Sequence, residues 1–319
     1  MMPDDVYVQK TITGDDNGFN TFFYKSLDNE QHKRDSKPRL QRGALVLISI
    51  FLIFCSFTTS AEELPLSLGR HLAEVGNYDA AITEYKRFLF FHPDDPHVGE
   101  VHYNIGLAYR AEGLWTEAIT ALRTATHYAM DRESKSEYQL ALAVTLIATK
   151  NYDLAELELI KVMLRNPSDQ LHRRRLFLQT VLYIYQFRWE EARRVGREYT
   201  TDERLETLFD AAMNVPQKSA NVASVLSRIL PGLGHIYVGD WRDGLNALLL
   251  NGAFGFLTVD AILDEHYTDA ALWAGLVLLR YYRGNTFRAE MAVEQFNLQK
   301  SRQAAEALLQ RLQVIVNTP

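Results

Sequence analysis

The sequence predicts an all-α protein in which antiparallel helix pairs stack into a solenoid, followed by a small, membrane-associated helical domain. Between Leu64 and Tyr199 an aromatic residue is followed, three residues later, by an alanine, and this occurs four times: Tyr78 and Ala81, Trp115 and Ala118, Tyr152 and Ala155, Trp189 and Ala192. The four alanines are 37 residues apart at each step. A constant period with matched residue types indicates stacked helical repeats. After residue 220 the composition shifts to long apolar runs, which predicts a separate C-terminal domain.

Composition limits the classes of function. The chain has 319 residues, 47% of them apolar, which is enough for two folded domains. Its formal net charge of −6 gives no electrostatic reason to expect nucleic-acid binding. The single cysteine, Cys55, lies in an apolar run expected to be removed from the mature protein, so we expect no disulfide in that protein.

No pattern predicts catalysis, a cofactor or a metal. The segment Gly232-Leu233-Gly234 lacks the third glycine of a dinucleotide fingerprint, and no lysine completes a phosphate-binding loop. The nine histidines are scattered, without the spacing of zinc ligands. No serine stands in a nucleophile-elbow setting. The sequence therefore predicts a protein that is not an enzyme.

The N-terminal region is expected to direct export. Residues 1–42 are polar and are predicted to be disordered. Within residues 43–61 an uncharged apolar run from Ala44 to Phe57 follows basic residues and precedes small ones. This layout is typical of a cleaved secretory signal, and an uncleaved N-terminal anchor is the alternative.

Four repeats of helix–turn–helix are predicted between residues 62 and 200. In the first, Leu68 and Leu72 mark one helix, and Ala81, Tyr85 and other apolar residues at three- and four-residue steps mark the second. Small residues at Gly69 and Ala81 would lie where the two helices cross closely, and Gly76 would supply the left-handed cap between them. The later units repeat this pattern, and the fourth keeps it least, with Gly196 at a usually large position.

At these residues the chain resembles the tetratricopeptide repeat family, whose units are antiparallel helix pairs of about 34 residues stacked into a superhelix. The longer period, Phe88 at a usually small site and Met130 in place of a closing proline are departures from the family pattern. The resemblance implies a non-catalytic protein that binds a protein or peptide partner along a groove lined by the first helices. The side chains predicted to contact this partner are Arg70, His71, His102, Asn104 and Tyr138.

The fourth repeat is rich in arginine, at positions 173, 174, 175, 188, 193, 194 and 197. One interpretation is a basic face that binds anionic lipid or an acidic partner. The other is a solvated face whose charge is balanced by Glu190, Glu191 and Glu198, and the sequence favours this second interpretation.

Residues 201–220 are predicted to be a linker, and residues 221–286 a helical domain that opens with a proline–glycine motif. The motif has the form Pro-Gly-x-Gly-x-x-Tyr-x-Gly, with fixed positions at Pro231, Gly232, Gly234, Tyr237 and Gly239. It resembles the opening of a small bacterial membrane domain often found behind repeat regions, with His235 where glutamine is expected. It is more loosely similar to two-helix membrane domains with a glycine-rich Tyr-x-Gly turn.

Two apolar runs follow the motif, from Gly244 to Leu263 and from Ala270 to Tyr282. They predict attachment to a membrane, with the number of passes left open, and a soluble helical cap on the repeats is the alternative. Residues 287–319 are predicted to form a C-terminal amphipathic helix.

Together these patterns predict an exported, non-enzymatic scaffold or adaptor on the periplasmic face of a bacterial cell envelope. It would bind a protein through its repeats and a membrane through its C-terminal helices. The alternative is a component of an envelope transport or membrane-insertion apparatus, which a buried, paired Asp260 or Asn251 in an oligomeric bundle would favour.

Overall fold

The computed structural model describes residues 63–317, and its side chains from Leu66 onward. The predicted polar leader and signal segment lie outside the described residues. All regular elements in the described part are helical. The helices are α1 Glu63–Glu74, α2 Tyr78–Phe91, α3 Val98–Ala111, α4 Trp115–Tyr128, α5 Arg132–Ala148, α6 Tyr152–Leu164, α7 Asp169–Tyr185, α8 Trp189–Tyr199, α9 Glu203–Met213, α10 Ala220–Ile229, α11 Leu233–Val238, α12 Trp241–Leu263, α13 Tyr267–Leu272 and α14 Leu279–Asn317.

The chain divides into two compact units. One consists of residues 63–202 together with 311–317, and we call it the repeat unit. The other consists of residues 203–310, and we call it the C-terminal unit. The repeat unit is thus built from two separate stretches of sequence.

The repeat unit contains the four predicted helix pairs, and the all-α fold class is confirmed. Within the pairs α1 packs on α2, α3 on α4, α5 on α6 and α7 on α8, and each pair also packs on the next. The second helices begin at Tyr78, Trp115, Tyr152 and Trp189, 37 residues apart. The alanines three residues further on, at positions 81, 118, 155 and 192, all have no exposed surface. The sequence period is therefore the period of the packing.

Small residues allow the two helices of a pair to approach closely. A Cβ atom added to Gly106 would lie 2.6 Å from Cγ of Leu122, and one added to Gly69 would lie 2.6 Å from the ring of Tyr85. The same position in the third repeat is Ala143, which is fully buried. Each pair therefore excludes a large side chain at this crossing.

The turn inside each pair has the same left-handed geometry, although glycine provides it only twice. Gly76 and Gly113 have φ of 80° and 76°, and the equivalent residues Lys150 and Phe187 have φ of 61° and 57°. In each turn the amide of the following residue donates back to a carbonyl of the first helix, as from Asn77 to Leu72 at 2.9 Å. This pattern is a Schellman cap, which satisfies carbonyls left free at the helix end.

The C-terminal unit differs from its predicted outline in two places. The region predicted as a linker contains helix α9, because Leu205, Phe209 and Ala212 lie on one face and are buried. The predicted boundary before residue 287 lies inside continuous helix, since α13, the π-helical segment Trp273–Leu278 and α14 follow one another without a break. Gly284 lies inside α14, because one glycine costs a helix only about 1 kcal/mol relative to alanine.

Candidate functional site

The first helices of successive repeats contact one another through polar and aromatic side chains. Nη2 of Arg70 in α1 donates to Oε1 of Glu100 in α3 at 2.6 Å. The rings of Tyr103 and Tyr138 stack with centroids 4.7 Å apart, which joins α3 to α5. The first helices of neighbouring repeats therefore contact one another along the stack.

The face formed by the first helices is open at the N-terminal end of the repeat unit and covered further along. In α1 the described side chains are mostly exposed, whereas in α5 every residue from 138 to 147 is buried. The same holds for residues 175–184 of α7. A helix in a solenoid normally leaves one face to solvent or a ligand. The accessible surface of the first helices therefore lies on α1 and on the half-buried residues of α3.

The five predicted partner-binding residues have different environments. Arg70 and His71 are exposed and Asn104 is half-buried. The ring of His102 stacks on that of Tyr128 in the same repeat, with ring centroids 6.0 Å apart. Burial lowers the pKa of the His102 imidazole. Tyr138 is buried, and this burial raises the pKa of its phenol to about 12. Arg70, His71 and Asn104 thus keep accessible surface, whereas Tyr138 presents almost none to a partner.

Glu100 is a residue of this face that the sequence analysis did not identify. Its carboxylate forms an ion pair with Arg70. The same carboxylate adds to the effect of burial in raising the pKa of the Tyr138 phenol. The sequence does not indicate this ion pair, because Glu100 is 30 positions from Arg70 and the two side chains meet only when their repeats stack. The open face is therefore of mixed charge rather than basic.

The arginines of the fourth repeat mostly contact groups of the same unit. Arg174 lies 3.6 Å from Glu137, and Arg188 bonds Glu156 and Glu191, each at 3.0 Å. Arg175 is buried, with its guanidinium bonded to Gln179, and desolvation lowers its pKa. These contacts support the interpretation of internally balanced charge over that of a basic binding face.

In the C-terminal unit the glycines of the Pro-Gly motif allow close contacts between helices. Gly232 has φ of 97°, and a Cβ there would lie 2.0 Å from the carbonyl oxygen of Gly244 in α12. A Cβ on Gly234 would lie 2.7 Å from that of Ala289 in α14 and 2.3 Å from Oγ of Ser227. Both positions exclude any side chain, since backbone or buried atoms occupy the space. The motif therefore brings α10, α11, α12 and α14 together.

The remaining motif residues hold the turn and its surroundings. Pro231 follows the end of α10, and Gly239, with φ of 103°, ends α11. The backbone carbonyl of Tyr237 accepts from Nζ of Lys218 at 2.6 Å, and its hydroxyl accepts from the amide of Ser219 at 3.3 Å. These contacts give the motif a structural role within the unit.

The turn after α11 also places His235, Asp240 and Asp243 together, with one ligand atom from each within 4.8 Å of the others. His235 is buried and both aspartates are exposed. Asp240 caps α12 by accepting from the amide of Asp243 at 3.5 Å, which accounts for its position. This grouping was not foreseen from the spacing of histidines, because the turn rather than a sequence motif brings the residues together.

One helix among the described residues is long and apolar enough to cross a membrane. This is α12, with 23 residues and a mean hydropathy of 1.5 over its best segment, of which only 11% is buried. A core helix of the same composition would be mostly buried, and α12 instead exposes large side chains such as Leu249 and Phe256. Of the two polar residues noted within it, Asp260 is exposed, whereas Asn251 is buried and donates to the Ala247 carbonyl of its own helix at 2.7 Å.

Comparison with known proteins identifies the repeats. The search of curated proteins found no match to this chain. Two overlapping segments, residues 66–127 and 103–170, match the tetratricopeptide repeat family. These segments cover the helices from α1 to α6, and the pair α7–α8 continues their period and packing. The region from residue 66 to residue 170 therefore consists of tetratricopeptide repeats.

Proposed function

We propose that this protein is a non-enzymatic adaptor of the cell envelope that binds a protein partner through its repeats and is attached to a membrane by its C-terminal helices. Tetratricopeptide repeats are in general protein–protein interaction scaffolds without catalytic activity. The observation that carries the proposal is the match of residues 66–170 to this family. The finer parts, export and the membrane, are supported by other features of the chain.

The partner would lie across α1 and α3. Arg70, Glu100, His71 and Asn104 offer donors and acceptors there, and mixed charge suits a peptide or helix that carries both signs. The covered faces of α5 and α7 leave no equivalent surface further along the stack. The binding site would therefore involve the first two repeats.

A photo-crosslinking experiment tests this placement. A photoreactive residue at position 104 of the full chain should capture a discrete partner, whereas one at Glu117, exposed on the second helix of the same repeat, should not. Arg70→Glu should then reduce capture from position 104, because it reverses the charge opposite Glu100. The same products from positions 104 and 117 would contradict a specific groove.

Attachment to the membrane would depend on α12. Support comes from its length, its composition and its unburied apolar surface. The apolar run from Ala44 to Phe57 supports export to the periplasmic side, after which α12 would anchor the chain. Alkaline carbonate should therefore leave the full chain in the membrane pellet, and its release would contradict an embedded helix.

Matched arginine variants separate insertion from folding. Phe256→Arg places a charge in the middle of α12, where transfer of an arginine into the bilayer costs about 2.5–3.5 kcal/mol. Leu263→Arg places the same charge at the helix end, where the side chain can reach the membrane surface. Both side chains are exposed, 67% and 75%, so in a soluble protein the two variants would behave alike. Weaker membrane retention of Phe256→Arg alone is the expected result.

A further inference from the structure

The C-terminal unit contains a cavity of about 800 Å³ between α11, α12 and α14. We call it the polar cavity because polar and charged residues contribute to its lining beside alanine, leucine and tyrosine. Its polar lining comes from residues far apart in the sequence: His235, Asp243, Asn246 and Asn251 on one side, and Arg280, Asn285 and Arg288 on α14. A volume of this size suits a small ligand or a headgroup rather than a single water molecule.

Three lining side chains are more than nine-tenths buried and have polar atoms without a protein partner. The exposed fractions of His235, Asn251 and Asn285 are 5%, 7% and 6%. Nδ1 of the imidazole, Oδ1 of Asn251 and both polar atoms of the Asn285 amide make no hydrogen bond. In the described part of the chain, four of the six such atoms belong to residues that line this cavity. Because an unsatisfied buried polar group is costly, their concentration here indicates a ligand that bonds to them.

The charges of the lining favour an anion. Arg280 and Arg288 are two helical turns apart on α14, and neither forms an ion pair within the described residues. Asp243 offsets one of these charges, which leaves the lining with a net positive charge when the imidazole is neutral. Guanidinium groups bind phosphate oxygens through paired hydrogen bonds, with amides donating to the remaining oxygens.

Asn251 also lines a second, apolar cavity of about 410 Å³. Its other walls include Leu230, Leu248, Gly255 and Leu279. A hydrocarbon chain fits such a lining, whereas a charged group does not.

We propose that the polar cavity binds a phosphate group. The guanidinium groups of Arg280 and Arg288 would bond to the phosphate oxygens, and the side-chain amides of Asn285 and Asn251 would bond to polar ligand atoms next to the phosphate. The phosphate can come from a lipid, whose chain would occupy the apolar cavity, or from a soluble phosphate compound. This site does not depend on the adaptor role, because its residues all belong to the C-terminal unit.

Calorimetric titration of the full chain, purified in a phosphate-free, uncharged detergent, tests the proposal. The probes are inorganic phosphate, dihexanoyl phosphatidic acid and dihexanoylglycerol, which lacks the phosphate. Saturable binding of either phosphate compound, without binding of dihexanoylglycerol, is the expected result. Tighter binding of dihexanoyl phosphatidic acid would identify a lipid source, and equal binding of inorganic phosphate a soluble one. Failure of both phosphate compounds to bind would overturn the proposal.

The variants have a matched control on the same helix. Arg280→Gln and Arg288→Gln should each weaken binding at least tenfold, whereas Arg283→Gln, which removes an exposed charge outside the cavity lining, should change it less than twofold. Equal losses in all three would indicate attraction to overall charge and would also overturn the site.

Asn285→Leu separates a ligand site from a structural one. Removal of two unsatisfied polar atoms should raise the melting temperature of the ligand-free chain while abolishing its response to ligand. A lower melting temperature without ligand would show that the amide serves the fold and would contradict the proposal.

Discussion

Replacement of Ala118 by arginine should strongly destabilise the second repeat. Ala118 has no exposed surface in α4, and it is the second of the four alanines of the 37-residue period. Overpacking a helix crossing costs about 1–3 kcal/mol, and an unpaired buried charge adds several kcal/mol. The sum, on the order of 5 kcal/mol, is comparable with the whole stability of a domain, about 5–15 kcal/mol.

The assay is thermal unfolding followed by circular dichroism, with Ala111→Arg as the control. Ala111 is exposed at the end of α3, so the same substitution should change the free energy of unfolding by no more than about 0.5 kcal/mol. For a unit of this size the Ala118 variant should melt about 10–20 °C lower than wild type, if it folds at all. An unchanged melting temperature for Ala118→Arg would refute the packing assigned to the repeated alanines.

Three further predictions concern single residues of the repeat unit. Lys150→Gly should raise the free energy of unfolding by about 1 kcal/mol in denaturant titrations, because glycine adopts the left-handed turn without the steric cost of a side chain; a destabilised variant would contradict this. The pKa of Tyr85 is raised to about 12 by burial, so stability should fall as pH rises above about 10, where the unfolded phenol ionises, and Tyr85→Phe should flatten this slope. The lowered pKa of His102 has the opposite consequence: stability should fall as pH drops below about 6.5, because the unfolded chain then binds more protons, and unfolding curves of His102→Gln should lack this part of the dependence.

The repeated pairs were predictable from the sequence because their contacts are local and recur. The aromatic at the start of each second helix and the alanine three residues later determine both the helix start and the buried face. The left-handed turns at Lys150 and Phe187 were not foreseen, since neither residue type favours that backbone region. Their only sequence signal is the repeat period, since positions 76, 113, 150 and 187 are 37 residues apart.

The candidate sites were less predictable, because they depend on contacts between distant residues. Tyr138 was expected to face a groove, but residues 138–147 of α5 are all buried, which no local pattern indicates. The polar cavity joins His235, Asn251 and Asn285, and each of these alone is an ordinary polar residue in an apolar stretch. The close approach of helices at Gly232 and Gly234 of the Pro-Gly motif helps to bring these residues together.

The division of the repeat unit into two stretches has a consequence for biosynthesis. Arg311, near the end of α14, forms an ion pair with Asp202, and the neighbouring Leu312 is fully buried. Repeats usually gain stability one after another as they leave the ribosome, since each contacts only its neighbours. In this chain the contact of Asp202 with Arg311 can form only after more than a hundred further residues have been translated.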